Sequence, residues 1–374
     1  MSFSFVDDVQ FLNTVGQVAQ TEFTPKVLEI DQGYYPLAQM QKLGQVGVFA
    51  PHLNQYGNRL DLAILANAEV GRVCGTSAFL TWCHQVCGLY LDQSDNALLK
   101  GEFLNNHTLA NTFGGTALSN PMKSWANIEP MIFRAKKDGK NYQVSGTLPW
   151  ISHIAPNQYC GAVASIEGTN EQVFFLLKFD QERASKWQLH QCPTFLGMEG
   201  SSTWRIGLEN YPVDVSEVIA SPCKEFIERI RGAFVLMQMG IGAGIILGAI
   251  DDIKQSAAVS NAFLEDQAGN LMLEFDVLVN KVLGLAKTPF ATDKDFFLDV
   301  LDVRTQGAML TLRATQAALL HQGAKGYVMT AAPQRRLREA QFVAIVTPAI
   351  KHLRYLSHQM MGEPAVKSDL EFHI

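Results

Sequence analysis

The sequence contains no extended cluster of lysine and arginine. Its 374 residues carry 30 basic and 36 acidic side chains, a net charge of −6. A nucleic-acid footprint needs concentrated positive charge, so that class of partner is not expected. Cysteine is sparse and irregularly placed, at 74, 83, 87, 160, 192 and 223. No disulfide framework is expected from such spacing, and a reducing compartment, the cytoplasm, is. Cys83, His84 and Cys87 share one helical turn in TWCHQVC. No second Cys/His pair supplies the remaining ligands of a tetrahedral site, so no metal is expected and buried thiols on a helix are the plainer reading.

Long uncharged runs are also scarce. AFVLMQMGIGAGIILGAI, at 233–250, has no charge over 18 residues, the lower edge of spanning length. It includes Gln238 and four glycines and is bracketed by Arg229, Arg231, Asp251 and Asp252. A buried core helix with a close-packing face is expected rather than a membrane span. Its GIGAGI is no dinucleotide fingerprint, because no strand precedes it. The opening MSFSFVDDVQF carries acids where a targeting peptide needs cations, so no leader is expected.

What is present divides by periodicity. Residues 1–110 repeat apolar side chains three and four apart, as helices do, with Thr24-Pro25 closing the first run and Asp95 placed to cap a later one. From 111 to 220 the period falls to two in short runs such as YQVSGTL and VFFLLKF, separated by KDGK and EGTNE. Antiparallel strands with tight turns are expected there. Helical period returns from 221 to 374. The expectation is an α+β, mainly α fold: an N-terminal helical domain, a central antiparallel β-barrel-like domain and a C-terminal four-helix bundle.

Within that order, several segments resemble the acyl-CoA dehydrogenase superfamily of flavoproteins over essentially the whole chain. ALSNP (117–121) stands where the family has a pattern like A-L-T-E-P, and Trp150-Ile151-Ser152 where it has W-I-T or W-I-S. GMEGSSTWRIGLENYPVDVSEVIA (197–220), QGAKGY (322–327) and RRLREAQ (335–341) resemble the family's later segments. Each is weak alone; their order and separation carry the resemblance. It implies FAD, oxidation of an acyl thioester such as an acyl-CoA, and a homodimer or homotetramer. It also implies site roles. Trp150 would pack against the flavin ring, with Ile151 and Ser152 serving the ring edge. Thr116, Ala117, Leu118 and Ser119, as a strand, would supply main-chain donors, with the Ser119 hydroxyl near N5. Gln322 and Gly323 would touch a neighbour's flavin. The alternative for Trp150 is an ordinary core aromatic.

Three departures limit what carries over. The family's catalytic Glu falls here on Thr347, and no acid occurs from Gln341 to Gln359. A threonine hydroxyl cannot replace a carboxylate base at neutral pH. An alternative base position falls near Phe234, and the closest acids, Glu225 and Glu228, lie off it; Glu228 reads as a partner for Arg229 or Arg231. The family's A-G-S-D, which helps hold the thioester's nucleotide tail, is replaced by MKSWANIE (122–129), which puts coenzyme A in question. Ser260 replaces an arginine that reaches the flavin diphosphate, beside a retained Phe263; Arg304 or Arg313 are candidate substitutes. The catalytic residue is therefore open. Beside an acyl-thioester dehydrogenase with a displaced base stand a flavin-dependent monooxygenase, which needs no α-proton base and for which His84, His352 or His358 are candidate titrating groups, and a non-catalytic binding protein.

Overall fold

The computed structural model describes residues 3, 5–256 and 258–362; residues 1, 2 and 4 of the opening segment lie outside it. The first helix, α1 (Asp8–Val18), is capped by the Asp7 carboxylate, which accepts from the Gln10 N–H. The chain does not break at Thr24-Pro25 as expected. A π turn (Ala19–Phe23) and a 3-10 turn (Thr24–Lys26) lead into α2 (Val27–Asp31). Pro25 sits in the first turn of the 3-10 segment, where its missing N–H costs no hydrogen bond. Helices α3 (Leu37–Gln45), α4 (Leu60–Val73), α5 (Gly75–Gln93) and α6 (Glu102–Thr108) follow. The cap expected at Asp95 is made by Asn96, whose oxygen accepts from Leu98 N–H. Its Nδ2 meanwhile donates to the carbonyls of Ser216 and Val218, a tertiary role that aspartate has no donor to fill.

The central part consists of β1 (Gly114–Thr116), α7 (Ser119–Trp125), β2 (Arg134–Asp138), β3 (Asn141–Ile151), β4 (Tyr159–Ile166), β5 (Gln172–Lys178), β6 (Trp187–Gln191), β7 (Trp204–Val213) and β8 (Val218–Ala220). One sheet runs β6-β7-β3-β2-β4-β5-β8, with β1 added on β4. It is mixed, not wholly antiparallel: β1 and β2 both lie parallel to β4. The β2–β3 hairpin leaves β2 with a free edge, and the chain returns to it through residues 152–158, so β4 arrives in β2's own direction. Only the pairs Arg134–Ser165 and Ala135–Ile166 result.

The last part is α8 (Lys224–Met237), α9 (Met239–Lys254), α10 (Ala268–Leu285), α11 (Lys294–Gln322), α12 (Ala332–Ile345) and α13 (Ile350–Met361). The uncharged run lies in α8 and α9 and is almost wholly buried. Its glycines act as expected of a close-packing face: a Cβ on Gly244 would come within 2.5 Å of the Gly71 Cα on α4. Helices from both ends of the chain share one core, while the sheet encloses a second. Strand β5 shows the division: Val173, Phe175 and Leu177 point into the sheet's own core, Phe174 and Leu176 toward the helices. Side chains alternate across a strand, so one strand serves both layers. The candidate site lies along that boundary.

Candidate functional site

Thr347 lies between α12 and α13, joined to Pro348 by a cis peptide bond. Its Oγ1 is 2.8 Å from Ser119 Oγ, at the start of α7, so the hydroxyl expected near the flavin and the residue in the vacant base position are in direct contact. The Thr347 carbonyl accepts from Gln238 Nε2 at 2.8 Å. Gln238 marks the junction of α8 and α9, where the helix tightens to three-residue hydrogen bonds, Gln238 N–H to Val235 and Ile241 N–H to Gln238. Its Oε1 accepts from Arg304 Nε at 2.9 Å, and Arg304 Nη2 donates to the Val343 carbonyl at 2.7 Å. Arg304 is only 2% exposed. Burial alone pushes its pKa down to about 10. Arg313 instead pairs on the bundle surface with Asp266 and Glu274. Both arginines considered for the diphosphate are thus already engaged.

No acid reaches Thr347 from α8. Phe234 is buried against Trp82, with ring centroids 5.1 Å apart, and Phe79 meets Phe342 at 4.6 Å. Four aromatic side chains therefore fill the space among α5, α8 and α12. Glu225, thirteen residues before Gln238, lies about 20 Å away along the helix at 1.5 Å per residue. It lines an open cavity of about 490 Å³ with Asp95, Asn96 and Arg229. Glu228 acts on Arg231 through charge alone, while Arg229 donates to the Gln93 carbonyl.

Trp150 is not a core aromatic. It stands 61% exposed at the end of β3, and its φ of 55° is left-handed. Such a backbone is costly for a bulky side chain. The cause is local: register between β3 and β7 shifts between Leu148 and Ile151, and a bulge of this kind re-aims a side chain. Ile151 resumes pairing with Trp204 and is buried. Ser152 is buried as well, with Oγ 2.7 Å from Thr203 Oγ1. Strand β1 runs against this segment so closely that a Cβ on Gly115 would meet the Ser152 carbonyl at 2.9 Å.

The strand expected at 116–119 ends at Thr116, and α7 begins at Ser119. Thr116 Oγ1 is held by the Tyr90 hydroxyl, and the Ala117 N–H donates to the Gly161 carbonyl. Leu118 is buried. Ser119 N–H lies in the first turn of α7, where N–H groups have no acceptor within the helix. Gln322 and Gly323 sit elsewhere, at the C-terminal end of α11, with Gln322 Nε2 donating to the Asp252 carbonyl. Around them Tyr327, Val328 and Met329 are exposed, as are Val259 and Phe263.

The histidines form a cluster that the sequence did not announce. His84 and His107 stack with centroids 3.7 Å apart, and each ring Nε2 meets the other's carbonyl. His84 Nδ1 accepts the Gly114 N–H, and His107 Nδ1 meets the Tyr159 hydroxyl. His153 meets His84 edge-on with centroids 5.8 Å apart, its Nδ1 bonded to the Tyr35 hydroxyl, and His52 Nε2 meets the Gln85 carbonyl. All four are fully buried, which drives their pKa values down, to about 4 for His84 and about 3 for His52. His84 therefore holds β1 in place as a neutral ring. His352 is 4% exposed with neither ring nitrogen partnered among the described residues, and burial and Lys123 depress its pKa. His358 is half-buried near the end of α13.

Residues 7–108 match the family model of the acyl-CoA dehydrogenase N-terminal domain. "Probable acyl-CoA dehydrogenase YngJ" of Bacillus subtilis is 23% identical over 375 residues, covering 92% of this chain and 95% of the relative. Residues 7–108 are thus similar to that family's N-terminal domain, and nearly the whole chain is similar to this relative. The chain's fold superposes on butyryl-CoA dehydrogenase from Megasphaera elsdenii with a TM-score of 0.83, at 16% identity over 97% of this chain and 100% of that one. Dibenzothiophene monooxygenase from Paenibacillus sp. A11-2 gives 0.77, at 16% identity over 94% and 97%. At that identity the superfamily's fold is shared, while the chemistry must be read from the site.

Proposed function

We propose that this chain is an FAD-dependent oxidoreductase of the acyl-CoA dehydrogenase superfamily whose reaction uses no carboxylate at position 347 to remove a proton. Trp150 carries the flavin half of the reading. A tryptophan held 61% exposed, on a left-handed backbone, is a surface waiting to be covered. A flat, polarizable ring laid against it would remove that surface from water. Bound there, the flavin supplies two-electron redox chemistry. The chain's part is to wall the ring with Trp150, hold the β1 and Ile151-Ser152 segments rigid through the Thr203 and Tyr90 hydrogen bonds, and present the Ser119 hydroxyl.

Thr347 carries the other half. Its hydroxyl is a poor base and already shares a hydrogen bond with Ser119. An acyl thioester or related carbonyl compound is the substrate class that the resemblance and the name of the Bacillus relative favour. The second reading, a flavin-dependent monooxygenase, is favoured by Thr347 itself, because reduced flavin and O₂ need no α-proton base; one structural neighbour is a dibenzothiophene monooxygenase, also solved with FMN bound. The exposed Val259, Phe263 and Tyr327 around Gln322 support a homo-oligomer joined there.

The deciding experiment is a visible absorption spectrum of the purified protein, before and after anaerobic addition of acyl-CoAs of several chain lengths. Bleaching of flavin bands by one thioester establishes dehydrogenation. Flavin bands indifferent to all of them shift the reading to the monooxygenase, assayed with reduced flavin and O₂. No flavin retained after incubation with excess FAD ends the enzyme reading and leaves a binding protein.

A further inference from the structure

We infer that His84 and His107 are positioning residues of the proposed flavin site, setting where β1 stands and with it the segment from Thr116 to Ser119. The inference rests on the proposed function and deepens it. Strand β1 is three residues long and pairs only with β4 among the described strands, in the weaker parallel arrangement. Its place is therefore set largely by what else grips it. Hydrogen positions in the histidine pair follow from the partners. A backbone carbonyl only accepts, so each ring Nε2 that meets one must carry the hydrogen. Both Nδ1 atoms of these neutral rings are then bare acceptors. His84 Nδ1 takes the Gly114 N–H at 3.2 Å. His107 Nδ1 takes the Tyr159 O–H at 2.8 Å, so the Tyr159 oxygen in turn accepts from the Thr112 hydroxyl at 2.9 Å. With neutral rings, only this set of hydrogens satisfies every contact.

Both histidines thus hold the residues that lead into β1, Gly114 directly and Thr112 through Tyr159. The grip continues along α5. His84, Cys87 and Tyr90 follow one another at three-residue spacing, so they share a face of that helix. Cys87 closes on β1 from there, since a Cβ on Gly114 would come within 2.6 Å of its Sγ. Tyr90 meets Thr116 Oγ1 at 2.8 Å. Beyond β1 lies the segment after Trp150, where the Ser152 carbonyl leaves no room for a side chain on Gly115. The face of α5 therefore places β1, and β1 abuts the second proposed flavin segment. Filling the His84 position with an apolar side chain would keep the packing. It would leave the Gly114 N–H and the His107 carbonyl without partners.

The test compares His84→Leu with His84→Gln, whose amide again offers a donor and an acceptor. Amide hydrogen exchange over residues 113–117 of the full chain without flavin reads β1, and a fluorescence titration with FAD reads the site. In His84→Leu, exchange should rise selectively over those residues. FAD affinity should fall at least about tenfold, because a buried donor and acceptor lose their partners. His84→Gln should restore most of both. Tyr159→Phe removes only the hydroxyl between Thr112 and His107 and should raise exchange at the same amides by less. It stands as the test if the leucine variant does not fold, and unchanged exchange there is the contrary result. A folded His84→Leu with wild-type exchange overturns the inference, as does a glutamine variant no better than the leucine one. The two readings fail separately. Selective loosening of β1 in a protein whose wild type takes up no FAD removes the flavin reading alone. FAD bound equally by the wild type and by His84→Leu removes this inference alone.

Discussion

Ser119 Oγ and Thr347 Oγ1 lie 2.8 Å apart, although 228 residues separate them in the chain. The contact joins the start of α7, on the sheet side, to the α12–α13 junction, on the helical side. It ties together the two positions that should touch reacting atoms and leaves no carboxylate at either. In the proposed function the flavin wall and the missing base are therefore features of one site.

In the proposed function Trp150 serves a ligand and not stability. Trp150→Gly should stabilise the protein by up to about 1 kcal/mol, since glycine accepts the left-handed backbone without penalty. The same variant should bind FAD at least tenfold more weakly. Urea denaturation and a flavin titration measure the two effects; unchanged flavin affinity would remove Trp150 from the site.

Arg335 and Glu339 form a buried pair at 2.7 Å, and the carboxylate also accepts the Gly75 N–H that opens α5. Arg335→Met strands the charge of Glu339 and should cost roughly 3–5 kcal/mol. Adding Glu339→Gln keeps an acceptor for Gly75 while removing the charge, so the double variant should recover at least half of the loss. A double variant no more stable than the single one would mean that packing, not charge, holds this corner.

The buried histidines make stability depend on pH with a definite sign. His52, His84, His107 and His153 stay neutral in the fold because burial lowers their pKa values, while in the unfolded chain they protonate below about pH 6.5. Unfolding then takes up protons. Stability should be full above pH 6.5 and fall as pH drops toward about 4, by about 1.4 kcal/mol per pH unit for each such histidine. Urea denaturation at pH 7.5, 6.0 and 5.0 checks this; a flat profile would show that the cluster opens before it titrates.

Much of this architecture is legible in the residues themselves. The change in period near 110 and 220 separates helices from strands, and the glycines of the uncharged run mark the α4–α9 contact. Thr347 can be found by counting from Arg338-Glu339-Ala340. What escapes the sequence is set by distant partners. Thr116 to Ser119 reads as one strand, yet Ala117 N–H takes the last sheet bond and a helix begins at Ser119. Arg304 looks like any helix arginine until Gln238, 66 residues earlier, turns its amide toward it. Histidines 52, 84, 107 and 153 come from four separate segments and meet only because α5 and β1 pack together.

The central claim is that Thr347 occupies the base position of the site and abstracts no proton. It is tested most directly by anaerobic flavin reduction with acyl-CoA, comparing the FAD-loaded wild type with Thr347→Glu. A positioned general base contributes about 10²–10⁴-fold, so the glutamate variant should bleach its flavin at least about 100-fold faster than the wild type. Equal rates in the two proteins would contradict the account and place the base elsewhere in the chain.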